Sequence, residues 1–150
     1  RVVYERARSG MTDAATKPDG GLSAAEVAPL SRNVRIHGED ACKDDQACGH
    51  FVIADTPRAH RVCGVELTQM GQAFTTGRYP LHLHFLGSAP GVEIKSNAVH
   101  DNHQRGIVVH ATSDTLVEEN VVMYSKGHLL MTEDSLEEGN KFVRNVLGPS

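Results

Sequence analysis

His82 and His84 stand two residues apart in the apolar run YPLHLHFLG, and His110 lies near the end of a similar run, GIVVHA. On a β-strand this spacing puts His82 and His84 on one face, with Cα atoms about 7 Å apart. If the two runs are neighbouring strands, His110 sits beside His84 at about 4.8 Å and three imidazoles converge. Such a group can bind a divalent transition-metal ion, for which neutral imidazole is a suitable ligand. It can also move protons near neutral pH or hydrogen-bond a sugar. The HxH spacing is by itself a weak metal signature, and a solvated sheet face that happens to carry histidines is the plain alternative. Glu133 and Asp134, in the turn MTEDS of a later run, would add two carboxyl groups in acid or base roles, the equipment of glycoside cleavage. Arg78 and Arg105 each precede a histidine strand, at similar positions, and offer cations for charge-assisted bonds to a polyanion.

These side chains meet only if the runs repeat in space. From Leu30 onward the chain is a series of strand-sized apolar runs, among them NVRIHG, HFVIAD, HRVCGVEL, GVEIKSNAV, TLVEENVVMY, GHLLMT and NKFVRNVLG. Gly, Asp, Ser or Asn separates them, β-branched residues are frequent, and no long amphipathic helix is evident. The triplets Ser96-Asn97-Ala98, Glu119-Asn120-Val121 and Arg144-Asn145-Val146 place an Asn at intervals of 23 and 25 residues. LHLHF, IVVHA and LLMT form a second series, with His84, His110 and Met131 in register at intervals of 26 and 21. Two markers recurring once per coil predict an all-β fold, a parallel β-helix with three short strands in each of four or five coils. Leu83 over Val109 over Leu130 is the expected inward ladder, and alternation then sends His82, His84, Val108 and His110 to one external face. Asn97, Asn120 and Asn145 read as a structural ladder, since buried amides must be paired. His100 and His103 fall at a corner and satisfy backbone there. The direction of His128 stays open, inward or toward the histidine patch. Residues 1–29 are expected to form an irregular connector or cap, with at best a helical turn from Ser23, and residues 30–150 the repeats. Because solenoids need protected ends, the coils are expected to belong to a longer helix.

At 150 residues the chain suits one domain, and its net charge of −4 excludes a basic nucleic-acid footprint. No apolar run approaches the roughly 18 residues of a membrane segment, and RVVYERARSG lacks the apolar core of a signal peptide. A start at Arg1 is expected of a fragment or processed product. Three cysteines cannot all pair. Cys42 and Cys48, in the polar loop EDACKDDQACGH, can close a small disulfide or remain two reduced thiols, and Cys63, in RVCGVEL, reads as a small buried hydrophobe. No Asn-x-Ser/Thr glycosylation sequon is present.

The ordered set PLSRNVRIHGE, VELTQMGQ, GRYPLHLHFLG, RGIVVHA and GHLLMTEDSLEEGNKFVRNVLG, over about residues 28–148, resembles the family of cell-surface and secreted hyaluronan-degrading proteins. Related segments occur in fibrocystin-like receptors. Arg78, Tyr79, Pro80, His82 and His84 match the family's RYPxHxH strand. Arg105 and His110 match its Arg-Cys-Val-Thr-Val-His strand, with Gly106 in place of the cysteine. His128, Glu133 and Asp134 match its Gly-His-Cys-Phe-Phe-x-Glu-Asp-Gly segment, with Leu129, Leu130 and Met131 for Cys-Phe-Phe and Ser135 for the last Gly. His100 matches the first of a His-His pair, Asp101 standing at the second, and the Cys42/Cys48 pair has a counterpart at other spacing. The resemblance implies that the parallel β-helix is right-handed, and that the protein is extracellular, secreted or at the cell surface, with a full-length form that can be membrane-anchored. It implies an anionic polysaccharide as partner and a calcium-dependent, hyaluronidase-like glycoside hydrolase, or else a non-enzymatic surface receptor. The histidine patch offers a transition metal as the alternative cofactor.

Overall fold

The computed structural model describes residues 28–56 and 58–150. The helical turn expected at Ser23, and all but the last two residues of the connector expected over 1–29, lie outside them. β1 (Val34–His37) comes first, followed by one short helix, α1 (Cys42–Asp45). Four coils of three strands follow: β2 (Val52–Ala54), β3 (Arg61–Cys63) and β4 (Val65–Thr68); β5 (Leu81–Ser88), β6 (Glu93–Lys95) and β7 (Ala98–Asn102); β8 (Ile107–Ser113), β9 (Leu116–Glu118) and β10 (Val121–Ser125); β11 (Leu130–Thr132), β12 (Lys141–Val143) and β13 (Val146–Leu147). Equivalent strands stack in parallel into three sheets, ordered β1-β4-β7-β10-β13, β2-β5-β8-β11 and β3-β6-β9-β12. The molecule is therefore the expected right-handed parallel β-helix.

Every turn of the coil meets the same steric problem: a strand must change direction without breaking the stack above and below it. The chain does so with single left-handed residues. Ser96, Glu119 and Arg144 have φ of 55°, 55° and 53°, and Gly64 has φ of 68° at the equivalent corner. Phe85 and Ala111 do the same at a second corner, and Gln69, Asp101 and Tyr124 at a third. A non-glycine residue in this region costs about 1–2 kcal/mol, and the packing of the coils on each other has to offset it.

Two things do so. Inside, Leu67, Leu81, Leu83, Ile94, Ile107 and Val109 are among the core residues with no exposed surface; each such aliphatic side chain contributes about 1.5–3 kcal/mol on burial. At the corner, the Asn ladder is present as expected. Asn97 Nδ2 donates to Asn120 Oδ1 at 3.0 Å, and Asn120 Nδ2 to Asn145 Oδ1 at 2.9 Å. Each carbonyl oxygen also accepts the backbone N–H of the coil below, from Val65 to Asn97, Asn97 to Asn120 and Asn120 to Asn145, at 3.0 Å. A second polar stack was not anticipated: Asn102 accepts from Met70 N–H at 2.9 Å and donates to Ser125 Oγ at 3.3 Å.

Three expectations are corrected. Leu83 does lie over Val109, but Val109 pairs with Thr132, whereas Leu130 pairs with Ile107. The last coil is thus two residues longer on this face than the expected interval of 21, and Met131 is opposite Val108, not His110. A two-residue slip preserves which side chains point inward, so hydrophobic alternation could not expose the error. Cys63 is exposed, because its neighbour Val62 takes the place against the core. Val108 keeps its expected place on the external side of the sheet, opposite His82, but is fully buried there. The Cys42–Cys48 disulfide is formed, with Cα atoms 5.1 Å apart.

Gly106 marks a tight approach between coils. A Cβ there would meet the Leu129 carbonyl oxygen at 2.4 Å and Val122 Cγ1 at 2.6 Å. Gly106 and Leu129 are therefore close neighbours in adjacent coils. Gly106→Ala is expected to destabilise the fold by about 1–3 kcal/mol through overpacking, read as a lower urea midpoint; an unchanged midpoint would show that the coils can spread at no cost.

Candidate functional site

β5 and β8 run side by side with Leu81 opposite Ile107 and His84 opposite His110. Because Leu81, Leu83, Ile107 and Val109 fill the interior, His82, His84 and His110 project from the other side of the sheet. β11 completes the group: the Glu133 backbone N–H donates to the Val109 carbonyl at 3.0 Å, which puts Glu133 opposite His110 in the next coil. The corrected register thus brings a carboxylate where the expected one brought a methionine.

This face is not simply solvated. His82 is 2% exposed, with the Tyr79 ring at a centroid distance of 4.8 Å and the His110 ring stacked at 5.6 Å. Its Nδ1 is 3.1 Å from the Gly77 carbonyl oxygen. A carbonyl only accepts, so Nδ1 carries the proton and Nε2 presents a lone pair. Burial pushes the His82 pKa down to about 4, against the raising effect of the Gly77 bond, so the ring is neutral at physiological pH. His110 Nε2 lies 2.8 Å from Asp134 Oδ2, leaving Nδ1 to face His84 Nδ1 at 3.0 Å.

Glu133 is held at one oxygen and left bare at the other. Oε1 accepts from Tyr79 Oη at 2.6 Å and from Arg105 Nη1 at 2.6 Å, while Arg105 Nη1 also donates to Tyr79 Oη at 2.7 Å. Burial pushes the Glu133 carboxyl up, but the hydrogen bonds from Tyr79 and Arg105 outweigh it and hold the group below the usual carboxylate range. Oε2 points at His82 Nε2 from 3.9 Å and at His110 Nδ1 from 3.5 Å. Among the described residues neither Glu133 Oε2 nor His82 Nε2 has a hydrogen-bond partner, although both are buried.

The other anticipated residues separate. Counting back from the Leu81–Ile107 pair, the neighbour of Arg105 is Tyr79, not Arg78. Arg78 bonds instead to His50 Nε2 at 2.7 Å, and lines a groove with Val52, Thr76, Gly77, His82 and His84. His128 is exposed and lines an open cavity at the last coil with Leu130, Met131, Thr132, Phe142 and Leu147. His100 is buried and ties the segment before β1 to the coils, its Nε2 3.1 Å from the Leu30 carbonyl. The His103 ring does not serve the backbone through Nε2, which is buried without a partner among the described residues. Reading the residues alone missed three contributors: Tyr79, visible only through the family strand; Phe85, 57% exposed beside His84 and His110; and Glu137, which accepts the Ala111 and Asp134 N–H groups at 3.0 Å and orders the turn.

The cluster can hold a metal ion, since ligand atoms of His82, His84 and His110 all lie within 4.8 Å of one another. Calcium, the ion implied by resemblance, does not fit it: calcium takes six to eight oxygen ligands, whereas this cluster presents three nitrogens. Among the described residues no other group of three or more His, Cys, Asp or Glu side chains converges in this way.

Comparison with known proteins places the fold in company. The sequence model of the family described as CEMIP beta-helix matches residues 46–148. The chain is 33% identical to human fibrocystin-L over 171 aligned residues, covering 87% of this chain and 4% of that protein. It is 34% identical to the zebrafish (Danio rerio) protein named cell surface hyaluronidase, over 85% of this chain and 11% of the relative. It is also 34% identical to mouse cell migration-inducing and hyaluronan-binding protein, over 83% of this chain and 10% of the relative. The chain therefore spans about a tenth or less of the length of these relatives.

Proposed function

Because this chain belongs to the CEMIP β-helix family, we propose that its histidine face binds an anionic polysaccharide, hyaluronan or a similar uronate glycan, and depolymerises it outside the cell. The observation that carries this reading is the convergence of His82, His84 and His110 with Glu133 and Asp134 on one sheet face.

A uronate chain would follow the groove past Arg78, which offers a cation for a sugar carboxylate. Arg105 would add a second cation, since only its Nη1 is engaged by Tyr79 and Glu133. The exposed ring of Phe85 offers an apolar platform at the edge of the cluster. In hydrolysis the glycosidic C–O bond breaks, the leaving oxygen takes a proton, and water supplies hydroxide to the anomeric carbon. Asp134, exposed and held against His110 as a carboxylate, would take a proton from the attacking water, and the histidine cluster would pass a proton to the leaving oxygen. Glu133, kept anionic by Tyr79 and Arg105, stabilises positive charge developing at the sugar carbon.

The test is size-exclusion analysis of hyaluronan incubated with the parent protein and with a His84→Ala/His110→Ala double variant. The parent is expected to shorten the polymer and the variant to leave it intact; equal depolymerisation by both would remove these histidines from the mechanism. The likeness to fibrocystin-L favours a second reading, a non-catalytic extracellular glycan-binding or receptor module. It predicts retention of hyaluronan by the parent without chain shortening under any divalent-ion condition.

A further inference from the structure

His82 Nε2 and Glu133 Oε2, two of the four buried side-chain atoms without a hydrogen-bond partner among the described residues, face each other, and both have lone pairs to offer. His82 Nε2 cannot be a donor while Nδ1 is committed to the Gly77 carbonyl, and Glu133 Oε2 is an anionic acceptor 3.9 Å away. Two opposed acceptors in a buried place lack a positive centre between them. Around the same point, His110 Nδ1 is 3.5 Å from Glu133 Oε2 and 3.0 Å from His84 Nδ1. Ligands 2.0–2.1 Å from a tetrahedral zinc ion are separated from one another by about 3.3 Å. Three of the separations, 3.0, 3.5 and 3.9 Å, bracket that value, and the ligand atoms of the three histidines lie within 4.8 Å of one another, a spread that an ion would have to draw in.

The outer contacts are those a metal site needs. His82 is oriented by a backbone carbonyl through Nδ1, His110 by the Asp134 carboxylate through Nε2, and Glu133 by Tyr79 and Arg105 through Oε1. Each leaves one atom facing another member of the cluster, and second contacts of this kind set tautomer and direction in metal sites. We infer that His82 Nε2, His84 Nδ1, His110 Nδ1 and Glu133 Oε2 form a site for one divalent transition-metal ion of the zinc type, and not for calcium. The three-nitrogen, one-oxygen donor set suits a borderline ion. Without a metal, the His84–His110 contact is an ordinary hydrogen bond.

This inference deepens the polysaccharide reading of the same face, and its test reads the ion rather than cleavage. Protein dialysed against a chelator is titrated with Zn²⁺ and, separately, Ca²⁺ by calorimetry, with the visible absorption of added Co²⁺ reporting imidazole ligation. The expected result is one Zn²⁺ per chain, no Ca²⁺ at the site, and at least a tenfold loss of Zn²⁺ affinity in each of Glu133→Gln and His84→Gln, both checked for folding by circular dichroism. Absence of Zn²⁺ binding would overturn the site, as would Zn²⁺ affinity unchanged in both variants or Ca²⁺ binding abolished by them. Zn²⁺ bound as expected in a protein that does not shorten hyaluronan supports the ion site and overturns only the polysaccharide reading.

Discussion

Asn120→Ala is expected to lower the stability of the β-helix by about 4 kcal/mol, from three groups left unpaired at roughly 1–3 kcal/mol each. The side chain has no exposed surface and works in both directions along the stack. Its oxygen accepts the Asn97 backbone N–H and the Asn97 amide, and its nitrogen donates to the Ile94 carbonyl and to Asn145 Oδ1. Truncation orphans the Asn97 N–H, one hydrogen of the Asn97 amide and the Ile94 carbonyl, and water cannot enter without opening the coil. Measured against a typical total of about 5–15 kcal/mol, such a loss leaves the chain marginal. Urea unfolding monitored by circular dichroism checks it; a difference below about 1 kcal/mol would mean that the aliphatic stack alone holds the coils together.

Glu133→Gln is expected to separate function from stability. The amide oxygen can still accept from Tyr79 and Arg105 at the place of Oε1, so the local shape is retained. At the place of Oε2 the new N–H₂ faces the His82 lone pair, which turns an opposed pair of acceptors into a hydrogen bond. In metal-free protein the variant should therefore be as stable as the parent, or more stable by about 1 kcal/mol. Its depolymerising activity should fall at least 10²-fold, since an aimed charge is worth about that much or more in a transition state. Retained activity would take Glu133 out of the chemistry. Lost activity together with a lower melting temperature would mark it as scaffold.

The residues themselves determined the architecture. Strand-sized apolar runs, and Asn97, Asn120 and Asn145 at coil intervals, admit few folds other than a stack, because an inward amide is tolerable only where its counterparts above and below complete its bonds. Pairing of Cys42 with Cys48 was open in the same text, and so was the shared face of His82, His84 and His110. What the tertiary structure decided was register and burial. The slip of two residues that sets Glu133 beside His110, and not Met131, is invisible to a pattern of period two. The burial of His82 and the capture of Arg105 by Tyr79 and Glu133 depend on how the loop before β5 folds over the sheet. That loop has no repeat to read. Alternation along a strand determines which way a side chain points, and only the stacking of separate coils determines what it meets there.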